Sequence, residues 1–471
     1  MLERLFRLTE NRTSARIEVL AGVTTFLTMA YIIFVQPAVL SGAMFGKPTG
    51  MDFGAVTTAT CLSAALATAL MALYARYPIA QAPGMGENFF FVFSAIPAAA
   101  AAGYANSWEV ALGAVFISGV LFLLLSLAGL RELIFNAVSP GLKHAIAAGI
   151  GLFIAFIGLQ NAGLILKDPG TAVKLNTHFG SPDLLVFFFG LLLMAVLHAR
   201  RVRGSILWGI VGATALAAAC KAALPLLPPA LAATPEVAQS MLVQRFAFAQ
   251  GIVAAPPSLA PTFFKMDLTH ALSLPMLPLI FVFLFMLVFD AIGTLIGVCT
   301  QAGFIRDNQL PRARQAMLSD AVGTVAGAAL GTSTVTSFIE SAAGVEQGGR
   351  TGLTGIVVAL LFLLALFFSP LIAMVGSYPP ITAPALVIVG AMMIQNVGQI
   401  DWQDYSESIP AFLTLVGIPL TYSIADGLAL GFISYPIVKF FSGQGARVGW
   451  LTYILAALLV AYFVFIRSRM G

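Results

Sequence analysis

Long apolar runs recur along the whole chain, and short polar or charged loops separate them. A helix of about 20 apolar residues spans the hydrocarbon core of a membrane, so the pattern predicts an all-α polytopic membrane protein. A further apolar segment, 448–466, is either an extra span or a helix lying against the bundle. Complete and interrupted runs together predict fourteen spans, at about 17–41, 54–75, 76–97, 108–130, 144–165, 183–198, 204–225, 270–301, 317–331, 332–347, 352–375, 381–398, 409–422 and 424–441.

Residues 331–352 interrupt the apolar pattern where the neighbouring runs place lipid. The segment from Thr332 to Phe338 is rich in hydroxyl and β-branched residues and predicts an extended stretch, and a short helix should begin near Ile339. Irregular backbone at membrane depth is tolerated only when it is buried in protein or lines a cavity. Glu340 falls at this break, and an ionisable residue inside a membrane is a functional candidate. Pairing that merely holds helices together is the less favoured alternative.

Residues 76–97 form a second interrupted span. Pro78, Pro83, Gly84 and Gly86 are incompatible with a continuous helix. The pattern predicts an extended piece up to Pro83 and a half-helix after it, with residues 87 and 88 in its first turn.

Two features recur seven spans apart and predict an internal repeat. The segment 158–163, GLQNAG, ends one span, and 393–398, MIQNVG, ends another; the two interrupted spans have the same offset. An odd offset gives the halves opposite orientations, so we expect two inverted seven-span repeats. Transporters of this kind hold their substrate near the midplane, where the repeats meet.

Polar positions on two other spans share a helix face. Asp290, Gly293, Thr294, Gly297 and Gln301 follow helical spacing on an otherwise apolar span. On the first span, the stripe at 24, 28 and 31 either faces the protein interior or joins helices through hydroxyl bonds, and its spacing alone favours the second alternative.

Charge and composition narrow the class of protein. Only 9% of residues are charged, against about 25% in soluble domains, and the net charge of +4 is no nucleic-acid signature. Basic residues lie in short loops, most strongly at 198–203, HARRVR, with others at Arg131, Lys143, Arg306 and Arg312. The positive-inside rule then places the N-terminus in the cytoplasm. Alanine- and arginine-rich usage and short tails favour a bacterial inner membrane.

No catalytic or cofactor chemistry is indicated. The three cysteines lack metal-ligand spacing, the four histidines lie at loop or span ends, and neither a nucleophile motif nor a phosphate-binding loop is present. We therefore predict no metal, no cofactor and no enzymatic activity. A membrane-embedded enzyme and a passive channel are the alternatives, and the interrupted helices of an inverted repeat argue against the channel because they suit alternating access.

Several motifs resemble the azaguanine-resistance-type (AzgA-like) purine permeases, a branch of the nucleobase–cation symporter superfamily. The resemblance implies a uracil-permease-like fold and proton-coupled import of adenine, guanine, hypoxanthine, xanthine or a related purine. The motifs are EVLAGVTTFLTMAYI (18–32), APGMGENFFF (82–91), FDAIGTLIGV (289–298), TSFIESAAGVEQGGRTGL (336–353) and IPAFLTLVGIPLTYSIADGLALGFISY (409–435).

The resemblance also implies a division of the chain into two domains, with a homodimer as a possible assembly. Spans 1–4 and 8–11 would form a core domain, 1–130 and 270–377. Spans 5–7 and 12–14 would form a gate domain, 131–227 and 378–442. An external connection, 228–269, and a C-terminal apolar segment, 443–471, complete the chain.

Motif positions assign the substrate site. Asn88, Asp290 and Glu340 match the family's substrate positions, whereas Glu87 replaces its usual leucine and Leu287 replaces a common second acid. We expect the substrate to contact a set of seven residues: Glu340, Asp290, Asn88, Glu87, Phe89, Thr294 and Ser337.

The chemistry of a neutral purine suits this set. Carboxylates at Glu340 and Asp290 can accept from purine N–H groups through charge-assisted bonds. Phe89 could stack on the ring, although core packing is the favoured role for most residues of its phenylalanine run. If Glu87, Asp290 and Glu340 share one cavity, one of them could carry the coupling proton, Glu87 or Asp290 first. Capping of its own half-helix is the alternative role for Glu87.

A carrier of another small polar or anionic solute is the main alternative within transporters. An anion site would need a fixed positive charge near the half-helices, and this chain has acids there instead.

Overall fold

The computed structural model describes residues 2–128, 139–226, 228–304 and 310–465, which are mostly helical. The helices are α1 (Leu2–Phe6), α2 (Ala15–Met29), α3 (Ile32–Leu40), α4 (Phe53–Leu70), α5 (Met85–Phe90), α6 (Ile96–Ala101), α7 (Ser107–Ala128), α8 (Pro140–Asn161), α9 (Pro182–Ala199), α10 (Ser205–Ala223), α11 (Pro229–Ala232), α12 (Pro235–Ala238), α13 (Met241–Gln244), α14 (Leu268–Ala271), α15 (Leu277–Gln301), α16 (Ala313–Leu330), α17 (Ser341–Glu346), α18 (Gly352–Ala365), α19 (Ser369–Gly376), α20 (Pro379–Met393), α21 (Tyr405–Leu420), α22 (Ile424–Phe441) and α23 (Trp450–Phe465). The strands are β1 (Gln81–Pro83), β2 (Ile165–Asp168), β3 (Ala172–Leu175) and β4 (Val335–Ser337).

Ten helical stretches in these described ranges are long and apolar enough to cross a membrane. Their bounds agree with ten predicted spans to within about four residues, as at Phe53–Ala75 and Ile424–Phe441. The exception is the predicted span 270–301, whose helix begins only at Leu277. The four other predicted spans correspond to α16, to α21 and to the two interrupted segments. The protein is therefore a multi-pass helical membrane protein.

Both interrupted spans contain a short strand followed by a short helix, as predicted. Strands β1 and β4 pair antiparallel, with Gln81 opposite Ser337 and Pro83 opposite Val335. Helix α5 begins directly after β1, and α17 begins at Ser341, close to the expected position. The crossing of the two strands brings the starts of α5 and α17 together.

Threonines on neighbouring helices form hydrogen bonds with backbone N–H and carbonyl groups of the two interrupted spans. Thr68 on α4 donates its hydroxyl to the Gln81 carbonyl at 3.0 Å and accepts from the Gln81 N–H at 2.9 Å. Thr324 on α16 does the same for Val335, at 2.8 and 3.2 Å. These bonds replace the helical hydrogen bonds that both segments lack, which is what makes extended backbone tolerable inside the membrane.

Small residues let α16 and α17 pack closely against their neighbours. A Cβ on Gly323 would lie 2.9 Å from the Ala67 Cβ, and one on Gly327 would lie 2.7 Å from Val335 Cγ2. A Cβ on Gly344 would collide with the hydroxyl of Thr25 on α2. Helix α2 thus packs directly against α17, the helical part of the second interrupted span.

Three parts of the chain differ from the sequence prediction or complete it. The predicted outer loop 166–182 contains most of the hairpin β2–β3, so a purely all-α description is incomplete. The external connection contains helices α11–α14, and the carboxylate of Asp183 fixes it to α9 by accepting from Met241 N at 2.7 Å and Leu242 N at 3.0 Å. The C-terminal segment forms α23, which packs against α22 and α15. Arg131 and Arg306, predicted inside markers, lie outside the described residues.

Candidate substrate site between the half-helices

A cavity of about 2220 Å³ adjoins the starts of α5 and α17. One wall is the polar face of α15, and the opposite wall comes from α8, α20 and α22. The cavity also reaches residues 198–206, which include the basic loop before α10 and the first residues of that helix. Five of the seven predicted substrate residues line it: Glu87, Asp290, Thr294, Ser337 and Glu340.

Glu340 is the N-cap residue of α17, but its side chain makes no capping bond to that helix. Its Oε1 instead accepts a hydrogen bond from the Tyr31 hydroxyl at 2.8 Å. Its backbone carbonyl accepts from the Thr28 hydroxyl at 3.4 Å. Glu340 is therefore held at the cavity wall in two places: the end of α2 bonds to its backbone, and Tyr31 in the following turn bonds to its carboxylate.

Glu87 and Asp290 complete a group of three acids in this cavity. Glu87 lies in the first turn of α5 and is 3% exposed; it folds back over Gly84, where a Cβ would collide with its carboxylate. Asp290 is half-buried on α15 and lines the same cavity as Glu87 and Glu340. Thr294 lies one turn further along the same face of α15. The absence of a side chain at Gly84 is what makes room for the carboxylate that the family pattern lacks.

Ser337 links the cavity to a buried acid that the sequence analysis did not single out. Its hydroxyl donates to Oδ1 of Asp320 on α16 at 2.8 Å, and the Gln81 amide donates to the same oxygen. Asp320 is fully buried. The sequence did contain a signal for Asp320, because an ionisable residue inside an apolar run is a functional candidate by default.

Asn88 and Phe89 are not among the residues that line the cavity. The Asn88 amide donates to Gln36 on α3, and its oxygen accepts from the Ser333 hydroxyl. Phe89 is fully buried, with its ring stacked 6.2 Å from Phe93. The predicted substrate contacts of both residues therefore do not match this geometry. Asn88 joins the two interrupted spans behind the site, and Phe89 has the core-packing role that was the alternative.

The polar stripe on the first span faces the interior near its end. Tyr31 and Thr28 both line the cavity, and both also bond to Glu340 through their hydroxyl groups, so each of the two alternatives holds for them. The helical spacing of positions 24, 28 and 31 correctly predicted that these residues share one face of the first span. The spacing could not show that this face meets Glu340, because Glu340 lies far away in the sequence.

Several residues predicted as loop markers also reach this cavity. Lys143 and His144 lie in the first turns of α8, and Arg201 and Arg203 lie in the loop before α10. His144 lies 3.3 Å from the Asn396 side-chain oxygen, from Nδ1 to Oδ1. Gln160 accepts from the Tyr422 hydroxyl at 2.8 Å, which fits the helix-pinning role favoured for the repeated Gln-Asn pairs. Within the ranges described, no group of three or more His, Cys, Asp or Glu residues could hold a metal ion.

Comparison with known proteins places the chain in a family. The model of the permease family that includes xanthine and uracil permeases matches residues 16–430. The guanine/hypoxanthine permease PbuG of Bacillus subtilis is 44% identical over 99% of this chain and 100% of its own length. The adenine permease AdeP of Escherichia coli is 40% identical over 100% of this chain and 97% of its own. A putative permease of Methanocaldococcus jannaschii is 47% identical over 99% of this chain and 98% of its own.

Solved structures share the fold at low sequence identity. The transmembrane domain of the cyanobacterial bicarbonate transporter BicA superposes with a TM-score of 0.60 at 15% identity, over 88% of this chain and 97% of that one. The murine anion transporter Slc26a9 in its inward-facing state gives 0.58 at 12% identity, over 90% and 68%. At such low sequence identity, the likeness shows a shared fold and gives no information about the substrate. The chain belongs to the permease family and is a transporter of the azaguanine-resistance type, not an enzyme.

Proposed function

We propose that this permease imports purine nucleobases such as guanine, hypoxanthine, adenine or xanthine by proton symport. The observation that carries the proposal is the placement of Glu87, Asp290 and Glu340 in one cavity beside the crossing of β1 and β4. Carboxylates accept charge-assisted bonds from purine N–H groups, and a ligand lacking those donors leaves buried acceptors unpaired. The names of the relatives, guanine/hypoxanthine and adenine permeases, support the same substrate class.

The proposed substrate site consists of Glu340, Asp290, Glu87, Thr294 and Ser337. Asn88 and Phe89 have a supporting role in the conformation described, behind the half-helices. A fixed acid in a site for neutral purines argues against an anionic substrate, because the like charge would oppose binding. The likeness to anion transporters concerns the fold, so it does not weigh against this argument.

We also propose a fourteen-span topology in two inverted repeats. Two equivalent hydrogen-bonded pairs, Thr68–Gln81 and Thr324–Val335, support the repeat. In each pair, a threonine on one helix bonds to the backbone of the interrupted span that follows that helix. The core domain would be 1–130 and 270–377, and the gate domain 131–227 and 378–442. The basic loop 198–203 supports a cytoplasmic N-terminus in a bacterial inner membrane.

Counterflow uptake in proteoliposomes tests the substrate class and the site together. Labelled guanine, adenine, hypoxanthine, xanthine and uracil would be offered to the wild type and to Glu340→Gln. We expect uptake of one or more purines by the wild type and a loss of at least about tenfold in the variant, because the amide puts a donor where the substrate needs an acceptor. Uptake of no nucleobase by folded wild-type protein would contradict the proposal and direct the assay to other small polar or anionic solutes.

A further inference from the structure

Tyr31 occupies a fixed position beside the proposed site. It lies in the turn between α2 and α3, is 2% exposed and contributes to the cavity wall. Helix α3 is anchored by Gln36, whose amide donates to the Thr332 hydroxyl at 2.9 Å and the Ser333 hydroxyl at 3.2 Å. The phenol therefore approaches Glu340 from a well-supported piece of backbone.

The bond from Tyr31 changes what Glu340 can offer a ligand. A carboxylate has two oxygens, and a ring edge with two adjacent N–H donors binds best when it uses both in parallel. In this structure the Tyr31 hydroxyl, 2.8 Å away, is already bonded to Oε1. A ligand that approaches Glu340 meets a carboxylate with one oxygen engaged.

We propose that Tyr31 determines the purine preference of this permease by occupying one oxygen of Glu340. The inference rests on the proposed function and adds the feature of the purine that the site distinguishes. Guanine has an exocyclic amino group beside its ring N1–H, whereas hypoxanthine has the N1–H without that second donor. The Tyr31 hydroxyl takes one acceptor position of Oε1 and the space beside it, so a second donor at that oxygen finds a weaker and more crowded acceptor. The amino group of guanine therefore adds little, and the wild type binds both purines with similar affinity.

Removing only the Tyr31 hydroxyl frees the second oxygen. In Tyr31→Phe, the amino group of guanine gains a hydrogen bond to a charged acceptor. Such a bond is expected to shift the guanine-to-hypoxanthine affinity ratio about tenfold toward guanine. A purely structural role for the hydroxyl would weaken binding of both purines alike and leave their ratio unchanged.

The chain offers a matched control. The hydroxyl of Tyr378 donates to Asp183 Oδ1 at 2.7 Å, a bond of the same chemical type, and Tyr378 is not among the residues that line the cavity. Tyr378→Phe should therefore leave the ratio of the two affinities at its wild-type value.

The test is competition binding of guanine and hypoxanthine to purified full-length protein in lipid nanodiscs, with melting temperatures measured alongside. We expect wild-type affinities within about threefold of each other and the tenfold shift in Tyr31→Phe alone. Tyr31→Leu, which also lacks the hydroxyl, should shift the ratio in the same direction if the phenylalanine variant does not fold.

Four results would overturn the inference. They are an unchanged ratio in a folded variant, an equal shift in Tyr378→Phe, loss of all purine binding by a folded variant, and failure of both Tyr31 variants to fold. The last two would show that the hydroxyl is needed for binding itself or for the structure. Absence of purine binding by the wild type would instead overturn the proposed function, and this inference with it.

Discussion

At the scale of single residues, buried acids in this permease differ in how completely they are bonded. Glu18 is fully buried, and its carboxylate accepts from Arg350 N at 2.9 Å, from Thr351 N and Thr354 N at 3.3 Å, and from the Thr354 hydroxyl at 2.6 Å. The acceptor positions of this carboxylate are therefore taken up by donors of the protein itself. Glu87 and Asp290 instead line a shared cavity. This setting is the reason that we propose one of the two as the carrier of the coupling proton.

Glu87→Gln and Asp290→Asn test which acid carries the coupling proton. An amide cannot bind and release a proton, so the variant at the carrier should lose accumulation driven by an imposed pH gradient. This loss should exceed any loss of purine counterflow, which reports substrate binding at the same residue. Accumulation and counterflow would be measured in the same proteoliposome preparation. Glu109→Gln, which changes an acid outside this cavity, serves as the control. Full gradient-driven accumulation by both cavity variants would contradict proton coupling through Glu87 or Asp290.

At the scale of elements, the half-helix α17 is positioned by a neighbouring helix more than by its own sequence. Six residues are too few for an isolated helix to be stable in water. Helix α2 contacts α17 through Thr25 and Thr28, and Glu18 caps the start of α18 at the other end of the connecting loop. Arg350 also donates to the carbonyls of Val345 at 2.6 Å and Gly349 at 2.8 Å. The position of Glu340 at the cavity therefore depends on α2.

Glu18→Gln should loosen the loop between α17 and α18. The amide loses the charge that three backbone N–H groups share, and it introduces donors that face other donors. Hydrogen–deuterium exchange is expected to rise about tenfold for the amides of 347–354, from a loss of about 1.4 kcal/mol in local stability. Ser14→Ala removes the N-cap bond of the same helix α2, where Ser14 accepts from Ile17 N, and should leave exchange in 347–354 unchanged. Equal exchange in wild type and Glu18→Gln would show that the cap does not stabilise this loop.

At the scale of the whole molecule, the cavity separates two groups of helices. Helices α4 and α16 contact the paired strands, and α2, α7 and α18 pack with these two helices or with each other, whereas α8, α9, α20, α21 and α22 pack against one another. We expect these groups to move relative to each other as the proposed core and gate domains, because alternating access requires the wall of the site to change sides. Phe285 on α15 and Phe432 on α22 face each other across this boundary, with ring centroids 6.0 Å apart.

A cross-link between positions 285 and 432 should stop transport. Cysteines would replace both phenylalanines in a chain whose Cys61, Cys220 and Cys299 are changed to alanine. A short bifunctional methanethiosulfonate would join them by forming a reducible disulfide with each cysteine. Purine uptake should fall to background after cross-linking and return on reduction, because the two groups can no longer separate. A monofunctional reagent of similar size distinguishes locking from blockage of the cavity.

The matching control pair lies within the proposed core domain. Phe26 on α2 and Phe362 on α18 have ring centroids 5.3 Å apart, and their cross-link should leave uptake unchanged. Undiminished uptake by the cross-linked 285–432 pair would contradict movement at this boundary.

Much of the fold could be predicted from the sequence because lipid constrains the chain locally. Apolar length determines a span, and proline, glycine and hydroxyl residues determine a break, so both interrupted segments were located within a few residues. The hairpin β2–β3 was missed because it lies outside the apolar runs, where the pattern has no such constraint. The acids Glu87, Asp290 and Glu340 were identifiable for a related reason. An ionisable side chain inside an apolar run is energetically costly, so its presence indicates a function.

The sequence by itself determined which segments are long and apolar enough to cross a membrane, where two further segments are interrupted and which acids lie at those interruptions. Only the tertiary structure decided which side chains meet there. It turned Asn88 and Phe89 away from the cavity, brought Tyr31 to Glu340, and buried Asp320 against Ser337. Contacts between residues so distant along the chain depend on how helices pack, and helix packing follows from the whole set of neighbouring surfaces rather than from any local pattern.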